Sequence, residues 1–312
     1  MDRYFYLLAM PPGHEQLAHG EAGALLDSRR VSPRCVESDR WLDVDRTGYA
    51  HRRLEALALG HDLDEVCHQV AERGVRSEDF KVDVVKFPRR GPLHAHEAMR
   101  RLGAVIEGRP HLDDPEALFL LIADEGTLLF GRVEQTTTND WKYRRRKPYT
   151  LSAAICPRIA RACVNLVCRP GMSLIDPCCG SGTIAIEAAA LGMRAVASDR
   201  SLKMAFGTRR NARHFRVPVD VVRADVRHIA GRFDALVTNL PYGIFISYED
   251  ELLDAVAART RFLAERCVFI INRPIDGILA QAGNTVDGII ELTEGGLTRY
   301  IHVCRPATGR QM

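Results

Sequence analysis

Short apolar runs that alternate with turn-forming residues divide the first part of the chain into small elements. Over the first 60 residues this pattern predicts a strand at 4–10, a helix at 14–26, one or two strands within 31–45 and a helix at 49–60. Trp41, Leu42 and Val44 are the candidate inward-facing residues of the third stretch. Together these elements predict a small α+β unit.

A second group of elements begins at residue 63. The spacing of apolar residues predicts helices at 63–73 and 94–103, and strands at 80–87, 117–123 and 127–133. Residues 139–150 read NDWKYRRRKPYT, have neither a helical nor a strand period, and include Pro148. This segment is therefore predicted to be a linker.

Beyond the predicted linker, apolar strands alternate with helical patterns. Strands are predicted at 173–176, 195–199, 219–224, 235–238, 267–271, 289–292 and 300–304. This rhythm is typical of a doubly wound, mostly parallel sheet, so the fold class is predicted to be α/β.

The composition adds few constraints on function. Hydrophobic residues make up 46% and charged residues 27% of the 312 residues, which predicts a globular protein, and the net charge of +3 alone does not indicate a polyanionic partner. Nine cysteines without a CxxC pair favour reduced thiols over a disulfide framework or a zinc site. The opening apolar run is interrupted by Pro11 and Pro12, so no signal peptide or membrane span is predicted. We expect a cytoplasmic protein without a metal site.

Residues 174–183, LIDPCCGSGT, predict a turn of small residues between a strand and a helix, where a ligand can approach backbone N–H groups. Gly180 and Gly182 also satisfy the G-x-G-x-x-A pattern of dinucleotide-binding proteins, so the glycines alone do not identify the ligand. Asp176, directly before the turn, would repel the pyrophosphate of NAD. S-adenosylmethionine has no phosphate, and its ammonium and sulfonium groups favour a nearby carboxylate. The turn therefore favours S-adenosylmethionine.

Two further aspartates end the next predicted strands. Asp199 could accept hydrogen bonds from both ribose hydroxyls, and Asp225 from the adenine amino group. A single aspartate of this kind is equally well explained as a strand end or a helix cap, but three at successive strand ends favour a cofactor site. The predicted cofactor-binding residues are Asp176, Cys178, Gly180, Gly182, Thr183, Asp199, Asp225 and Asn239.

A second motif, NLPYG, follows the strand predicted at 235–238. An exocyclic amine of guanine or adenine is a poor nucleophile because its lone pair is delocalised into the ring, and acceptors on its two hydrogens restore the lone pair to the nitrogen. The side-chain oxygen of Asn239 and the carbonyl of Leu240 are candidate acceptors, and Pro241 and Tyr242 complete the predicted catalytic turn, with Tyr242 stacking on the base. Methyl transfer to a nitrogen is the predicted reaction.

These motifs resemble the THUMP-containing RNA methyltransferases, in particular the tRNA guanine-N2 enzymes of archaea and some bacteria. The resemblance is carried by DPCCGSGTIAIEAA, NLPYG and KPYTLSAAICPRIARACVNL, and covers most of the chain. It implies a ferredoxin-like domain at 1–60, a THUMP RNA-binding domain at 61–138, a basic linker at 139–150 and a Rossmann-like methyltransferase domain at 151–312. The family usually has proline at the position of Leu240, so the turn in this chain is less rigid.

The resemblance also implies that the N-terminal domains bind tRNA and that a guanine N2 is methylated. Basic residues are placed accordingly, since lysine and arginine neutralise phosphates and interleaved aromatic residues stack on unpaired bases. The predicted RNA-binding residues are Lys86, Arg89, Arg90, Lys142, Arg144, Arg145, Arg146 and Lys147, with the aromatic residues Trp141 directly before and Tyr143 within the last five.

Two alternatives remain at this stage. An rRNA guanine-N2 methyltransferase or a DNA amino-methyltransferase would share the catalytic core, although the THUMP-like segment argues against DNA. A non-catalytic RNA-binding protein that retains S-adenosylmethionine is the alternative from a different class. The intact Asn239, Pro241 and Tyr242 argue against it, because such a protein has no need of an amine acceptor.

Overall fold

The computed structural model describes residues 3–240 and 249–307. The strands, in chain order, are β1 Tyr4–Leu8, β2 Arg29–Ser32, β3 Cys35–Ser38, β4 Ala50–Gly60, β5 Arg76–Phe87, β6 Glu107–Pro110, β7 Ala117–Asp124, β8 Thr127–Thr136, β9 Ser173–Asp176, β10 Arg194–Asp199, β11 Val219–Arg223, β12 Phe233–Asn239, β13 Ala264–Ile271, β14 Asn284–Glu294 and β15 Leu297–Pro306. The helices are α1 Glu15–Leu26, α2 Leu63–Glu72, α3 Ala95–Val105, α4 Pro157–Val167, α5 Thr183–Ala190, α6 Leu202–Phe215, α7 Glu249–Leu263 and α8 Asp276–Gln281.

The chain divides into two compact units, and the first comprises residues 1–9, 25–45 and 50–138. Its eight-stranded sheet has the order β2-β3-β1-β4-β8-β7-β5-β6. Phe119 lies between Phe80, which it meets edge to face, and Phe130, on which it stacks, and all three rings are buried in a cluster with side chains of α2 and α3.

The segment predicted as a helix at 49–60 is wrong, because the structure has strand β4 there. β4 pairs with β1 on one side and with β8 on the other, so both edges of its backbone are satisfied by the sheet. Tertiary pairing thus overrides the helix-favouring alanines and leucines. Trp41, expected to face inward, is 61% exposed, with the Arg53 guanidinium over its ring at 4.4 Å.

The second unit comprises residues 10–24, 46–49 and 139–312. Its sheet has the order β11-β10-β9-β12-β13-β15-β14. The first five strands in this order run parallel, and β15 and β14 are antiparallel additions. The predicted, mostly parallel α/β sheet is therefore confirmed. Its order places the carboxyl ends of β10, β9 and β12 side by side, where ligands bind in open α/β sheets.

Most of helix α1, up to Ala24, belongs to this second unit, whereas the sequence predicts it within a separate N-terminal domain. Glu21 of α1 is fully buried and accepts hydrogen bonds from the backbone N–H groups of Gly48 (2.8 Å) and Tyr49 (3.1 Å) and from Nδ2 of Asn165 in α4 (2.7 Å). Burial raises the pKa of the Glu21 carboxyl. A fragment that begins at residue 150 would therefore leave Asn165 of α4 without this acceptor.

Candidate active site

A cavity of about 520 Å³ lies at the carboxyl edge of the parallel strands. This is within the ordinary size range of small-molecule and cofactor sites. Its lining comprises Leu151, Ala153, Ala154, Ile155, Asp176, Pro177, Cys178, Cys179, Gly180, Ser181, Thr183, Ile184, Asp199, Arg200, Met204, Ala224, Asp225, Val226, Asn239 and Leu252. The structure thus brings the two sequence motifs, 174–183 and 236–240, to one cavity.

The glycine turn between β9 and α5 has the conformation that its small residues permit. Gly180 has φ 53° and Gly182 has φ 80°, both in the left-handed region that glycine tolerates best. A Cβ atom on Gly182 would lie 2.5 Å from Cγ2 of Thr208, so no larger residue fits. Gly182 is the N-cap of α5 and is absent from the lining, whereas Gly180 and Thr183 belong to it.

Asp176 ends β9 and is almost completely buried at the cavity. Its Oδ1 accepts a hydrogen bond from Oγ1 of Thr238 (2.9 Å) and one from the backbone N–H of Cys178 (3.3 Å). Burial outweighs both hydrogen bonds and raises the pKa of the Asp176 carboxyl to about 7. A cationic ligand group beside this carboxyl would favour its ionised form.

The other two aspartates lie in different surroundings: Asp199 ends β10 as expected, whereas Asp225 follows the end of β11 by two residues and is the N-cap of a 3₁₀ helix at Val226–His228. Asp199 accepts hydrogen bonds from the backbone N–H groups of Gly180 (3.0 Å) and Ser201 (2.9 Å), and burial raises its pKa. Asp225 accepts two hydrogen bonds from the Arg227 guanidinium, 2.9 Å and 2.6 Å long, which hold its pKa well below the usual range. Sequence reasoning did not foresee this ion pair. Arg227 lies only two residues after Asp225, so the Asp-x-Arg spacing is the sequence feature that could have predicted the pair.

Asn239 ends β12 at the margin of the same cavity. Its Nδ2 donates to the carbonyl of Ala153 at 3.5 Å, and its Oδ1 is buried without a hydrogen-bond partner among the described residues. A buried acceptor of this kind costs free energy until a donor binds it. The Leu240 side chain is buried in the apolar core, and its N–H donates to the carbonyl of Ile270 (3.0 Å). Pro241 and Tyr242 lie outside the described residues.

The predicted basic linker is folded against the second unit, with a 3₁₀ helix at Asp140–Arg145. Trp141 is 3% exposed and packs under the Arg158 guanidinium, so it is not available to stack on a base. Arg144 is buried in ion pairs with Glu187 and Asp140. The sequence predicts that Trp141 and Arg144 belong to an exposed RNA-binding run, but both are buried. Arg144 is buried because its charge is paired with carboxylates inside the protein.

The other basic residues of this segment fall into two groups. Lys142, Tyr143, Arg145 and Arg146 are exposed, and the Tyr143 ring stacks on His214 with centroids 6.2 Å apart. Lys147 is half-buried and donates through Nζ to Oγ1 of Thr183, a residue that lines the cavity. Lys147, which the sequence predicts to contact RNA phosphate from an exposed linker, thus lies against the start of α5 instead.

Three predicted RNA-binding residues lie on the first unit. Lys86 donates through Nζ to the carbonyls of Gly91 (3.3 Å) and Leu93 (2.9 Å), and Arg89 and Arg90 are exposed. Lys86 and Arg89 line a second cavity of about 530 Å³ together with Leu7, His51, Arg52, Val84, Val85 and Phe87. The lining of this cavity is therefore rich in basic side chains.

Several lining residues were missed because they are apolar. Leu151 and the residues 153–155 cover the glycine turn from the segment before α4, and Met204 and Leu252 contribute from α6 and α7. The residues at 151–155 could have been recognised from the uncharged stretch TLSAAI, which begins shortly after the basic run.

Comparison with protein families supports a catalytic role for this region. Residues 144–267 match the model of the RMKL-like methyltransferase domain family. The tRNA (guanine(10)-N2)-dimethyltransferase of Methanothermobacter thermautotrophicus is 28% identical over 76% of this chain and 78% of its own length. The enzyme of the same name from Methanocaldococcus jannaschii is 24% identical over 93% of this chain and 96% of its own length.

Solved structures give the same fold. TrmN from Thermus thermophilus superimposes with a TM-score of 0.53 at 21% identity and covers 98% of this chain and 100% of its own. A possible methylase from Clostridium difficile 630 also gives a TM-score of 0.53, at 16% identity, over 100% and 99% of the two chains.

The residues of the cavity fit S-adenosylmethionine. Asp176 and Asp199 line a cavity large enough for a nucleoside with an amino-acid tail. At its margin, Oδ1 of Asn239 has no hydrogen-bond partner in the described part of the chain and can accept from a ligand donor. No group of histidine, cysteine, aspartate and glutamate residues in the described parts of the chain is arranged to hold a metal ion. The segment that matches the RMKL-like methyltransferase domain, residues 144–267, thus contributes most of a cavity that suits S-adenosylmethionine as the methyl donor.

Proposed function

We propose that this protein transfers a methyl group from S-adenosylmethionine to the exocyclic N2 of a guanine in tRNA. The observation that carries the proposal is the buried Oδ1 of Asn239, which has no hydrogen-bond partner within residues 3–240 and 249–307 and lies at the margin of the acidic cofactor cavity. The similarity to archaeal tRNA guanine-N2 enzymes over most of the chain supports the choice of substrate.

The proposed chemistry requires the protein to orient the amine rather than to deprotonate it first. S-adenosylmethionine supplies an electrophilic methyl group. Asn239 accepts a hydrogen bond from the guanine amine through Oδ1, and the carbonyl of Leu240 accepts the second hydrogen, so the nitrogen lone pair points toward the cavity. Because an amide is not a base, the proton leaves to water after the methyl group is transferred.

The RNA is proposed to contact exposed basic and aromatic side chains of both units. On the second unit these are Lys142, Tyr143, Arg145 and Arg146. On the first unit they are Arg89, Arg90 and the basic cavity lined by Arg52 and Lys86. Phosphate neutralisation by such residues supplies sequence-independent affinity.

The finer domain assignment is also part of the proposal. The N-terminal unit is proposed to correspond to the ferredoxin-like and THUMP domains of the resembling family, with helices α2 and α3 covering one face of its sheet. The protein is proposed to act in the cytoplasm, where tRNA is modified, and its nine cysteines are all free thiols. Residues 3–240 and 249–307 contain no helix long and apolar enough to cross a membrane.

Mass spectrometry of nucleosides tests the function directly. The full-length protein is incubated with S-adenosylmethionine and unmodified transcripts of tRNA, rRNA fragments and duplex DNA. N2-methylguanosine or N2,N2-dimethylguanosine in the tRNA alone is the expected result. N6-methyladenine in any substrate, or methylguanosine only in rRNA, would overturn the proposed amine or the proposed RNA class respectively.

A further inference from the structure

Thr238 is the residue directly before Asn239 on β12, and it has no part in the function proposed so far. Its side chain is 0% exposed and does not belong to the cavity lining, so it faces neither the cofactor nor the target base there. Its hydroxyl donates to Oδ1 of Asp176 at 2.9 Å instead. Thr238 therefore lies behind the cavity wall and contacts a residue that forms it.

The hydrogen bond between Thr238 and Asp176 lies where the backbones of β9 and β12 no longer pair. Within these two described strands, backbone pairing joins 174–175 to 235–236 and does not continue toward the carboxyl ends. On its other side β12 stays paired with β13 as far as Asn239. The side-chain hydrogen bond is therefore a direct link between the two strand ends beyond their last backbone pair.

The linked strand ends carry the two halves of the proposed reaction. Asp176 lines the cavity proposed for the methyl donor, and Asn239 holds the candidate acceptor for the target amine. Methyl transfer needs the reacting atoms about 3–3.5 Å apart and in line, and a misplacement of about 1 Å can lower the rate about a hundredfold. A bond that fixes the spacing of these strand ends thus acts on the rate of the reaction.

The Thr238 hydroxyl also acts on the charge of Asp176. Burial raises the pKa of the Asp176 carboxyl, and the hydrogen bond from Thr238 lowers it. In the described part of the chain, the titratable groups that face this carboxyl are the thiols of Cys178 and Cys179 in the glycine turn and the carboxyl of Asp199 on β10. Removing the hydroxyl leaves these three groups in place, so a changed titration of Asp176 would report the lost hydrogen bond.

We propose that Thr238 is a positioning residue for methyl transfer, whose hydroxyl ties Asp176 to the end of β12 and so fixes the spacing between the bound cofactor and the amine at Asn239. The inference rests on the proposed function, because it needs both reactants at these strand ends. It assigns a role in the rate of transfer to a residue that touches neither reactant.

Thr238→Val tests the inference in the full-length protein, because valine keeps the branched shape and loses the hydroxyl. The single-turnover rate with saturating S-adenosylmethionine and tRNA should fall about tenfold to a hundredfold. At about pH 8.5, where the Asp176 carboxyl is largely ionised, calorimetry should give an affinity for S-adenosylhomocysteine within about twofold of the wild type. Thr238→Ser keeps the donor and should recover the rate to within about threefold of the wild type.

The pH dependence of S-adenosylhomocysteine binding gives a second readout that does not involve turnover. Ionisation of Asp176, with its pKa of about 7, sets the midpoint of the rise in affinity in the wild type. Loss of the hydrogen bond from Thr238 favours the protonated carboxyl, so the midpoint in Thr238→Val should move to higher pH. Thr238→Ser should keep the wild-type midpoint.

Thr260→Val is the matched control. Thr260 is also 0% exposed, and its hydroxyl donates to the carbonyl of Val256 within helix α7, so this variant loses a buried hydroxyl away from the cavity lining. Its rate and its midpoint should remain those of the wild type.

Three results would overturn the inference: a rate for Thr238→Val equal to that of the control, an equal loss of rate in Thr238→Ser, or an unmoved midpoint in Thr238→Val. If circular dichroism shows that the valine variant is unfolded, Thr238→Ala takes its place. Absence of methylation by the wild type would instead contradict the proposed function itself.

Discussion

Nε of Arg144 and Oε1 of Glu187 lie 2.6 Å apart in a buried ion pair that joins the basic segment to helix α5. Glu187 also accepts a hydrogen bond from Arg161, and both arginines donate to Asp140. Arg161 and Glu187 are 1% and 0% exposed, so water contributes little to solvating the pair. The network fixes the segment that covers the start of α5, and with it the glycine turn.

Neutralising the centre of this network should destabilise the protein strongly. Glu187→Gln leaves two guanidinium groups without their buried counter-charge, which typically costs about 3–5 kcal/mol in free energy of unfolding. Urea unfolding followed by circular dichroism measures the change. Glu265→Gln, on an exposed position of β13, should shift the free energy of unfolding by less than about 0.5 kcal/mol. Equal values for the two variants would show that the network is dispensable.

Asn239→Ala should separate catalysis from cofactor binding. The side chain is proposed to touch the amine and not the cofactor, so turnover should fall about 10²–10³-fold, as for the loss of one preorganised hydrogen-bonding group. The affinity for S-adenosylhomocysteine should change less than about twofold. Asn239→Asp retains the acceptor oxygen and should keep more activity than the alanine variant. Methylation by Asn239→Ala at the wild-type rate would refute the role of this residue.

Cofactor affinity should depend on pH through Asp176. Burial raises the pKa of Asp176 from 3.8 to about 7 in the folded protein, so this carboxyl stays protonated up to near-neutral pH. The stability that the protonated carboxyl contributes to the unliganded protein is lost as the pH rises toward about 7. The cofactor's ammonium favours the ionised form. Affinity for S-adenosylhomocysteine should therefore rise between about pH 5.5 and 7.5, with proton release in calorimetry. Asp176→Asn should bind more weakly and lose most of this rise; an unchanged pH profile would contradict the prediction.

Asp199→Ala should weaken cofactor binding by about 1.5–3 kcal/mol, because it removes the charged acceptor that we propose for the ribose hydroxyls. The same substitution should also weaken the binding of 5′-methylthioadenosine, since that ligand keeps the ribose. Asp220→Ala, on an exposed position of β11, controls for the loss of one negative charge. If Asp199→Ala binds both ligands like the wild type, the carboxylate serves only the backbone of the glycine turn.

Charge reversal at the exposed basic positions should weaken tRNA binding and leave cofactor binding unchanged. The triple variant Lys142→Glu, Arg145→Glu, Arg146→Glu spares the buried Arg144 and the half-buried Lys147. Each phosphate contact contributes about −0.9 to the slope of log K against log salt on a duplex, so the slope should become measurably shallower. Filter binding at several salt concentrations measures it. A slope equal to that of the wild type would place the RNA elsewhere on the protein.

The strands around the cavity could be predicted from the sequence because their signals are local. β9, β10 and β12 are short apolar runs that end in Asp176, Asp199 and Asn239, and the polar residue itself marks the strand end. The glycine turn is local too, since its conformation depends on residues within it. From these features the sequence predicts both the parallel sheet and the place of the cavity that we propose for the cofactor.

Features decided by distant partners could not be predicted in this way. β4 is a strand because β1 and β8 flank it, while its own sequence, AHRRLEALALG, favours a helix. Arg144 is buried because Glu187, 43 residues later, pairs with it. The basic run has five lysines and arginines in six positions, and this pattern does not indicate which of them pairs with a distant buried carboxylate.

Trp141, Arg144 and Lys147 are spaced by three residues, which matches the three residues per turn of the 3₁₀ helix that contains the first two. These three side chains are buried or half-buried, whereas Lys142, Tyr143, Arg145 and Arg146 between them are exposed. In this short stretch, packing inside the protein therefore constrains every third residue, and exposure to solvent and the proposed RNA constrains the residues between them. A saturation mutagenesis experiment would find intolerance to substitution at Trp141, Arg144 and Lys147, whereas Lys142, Arg145 and Arg146 should tolerate any residue that keeps the positive charge proposed to bind RNA.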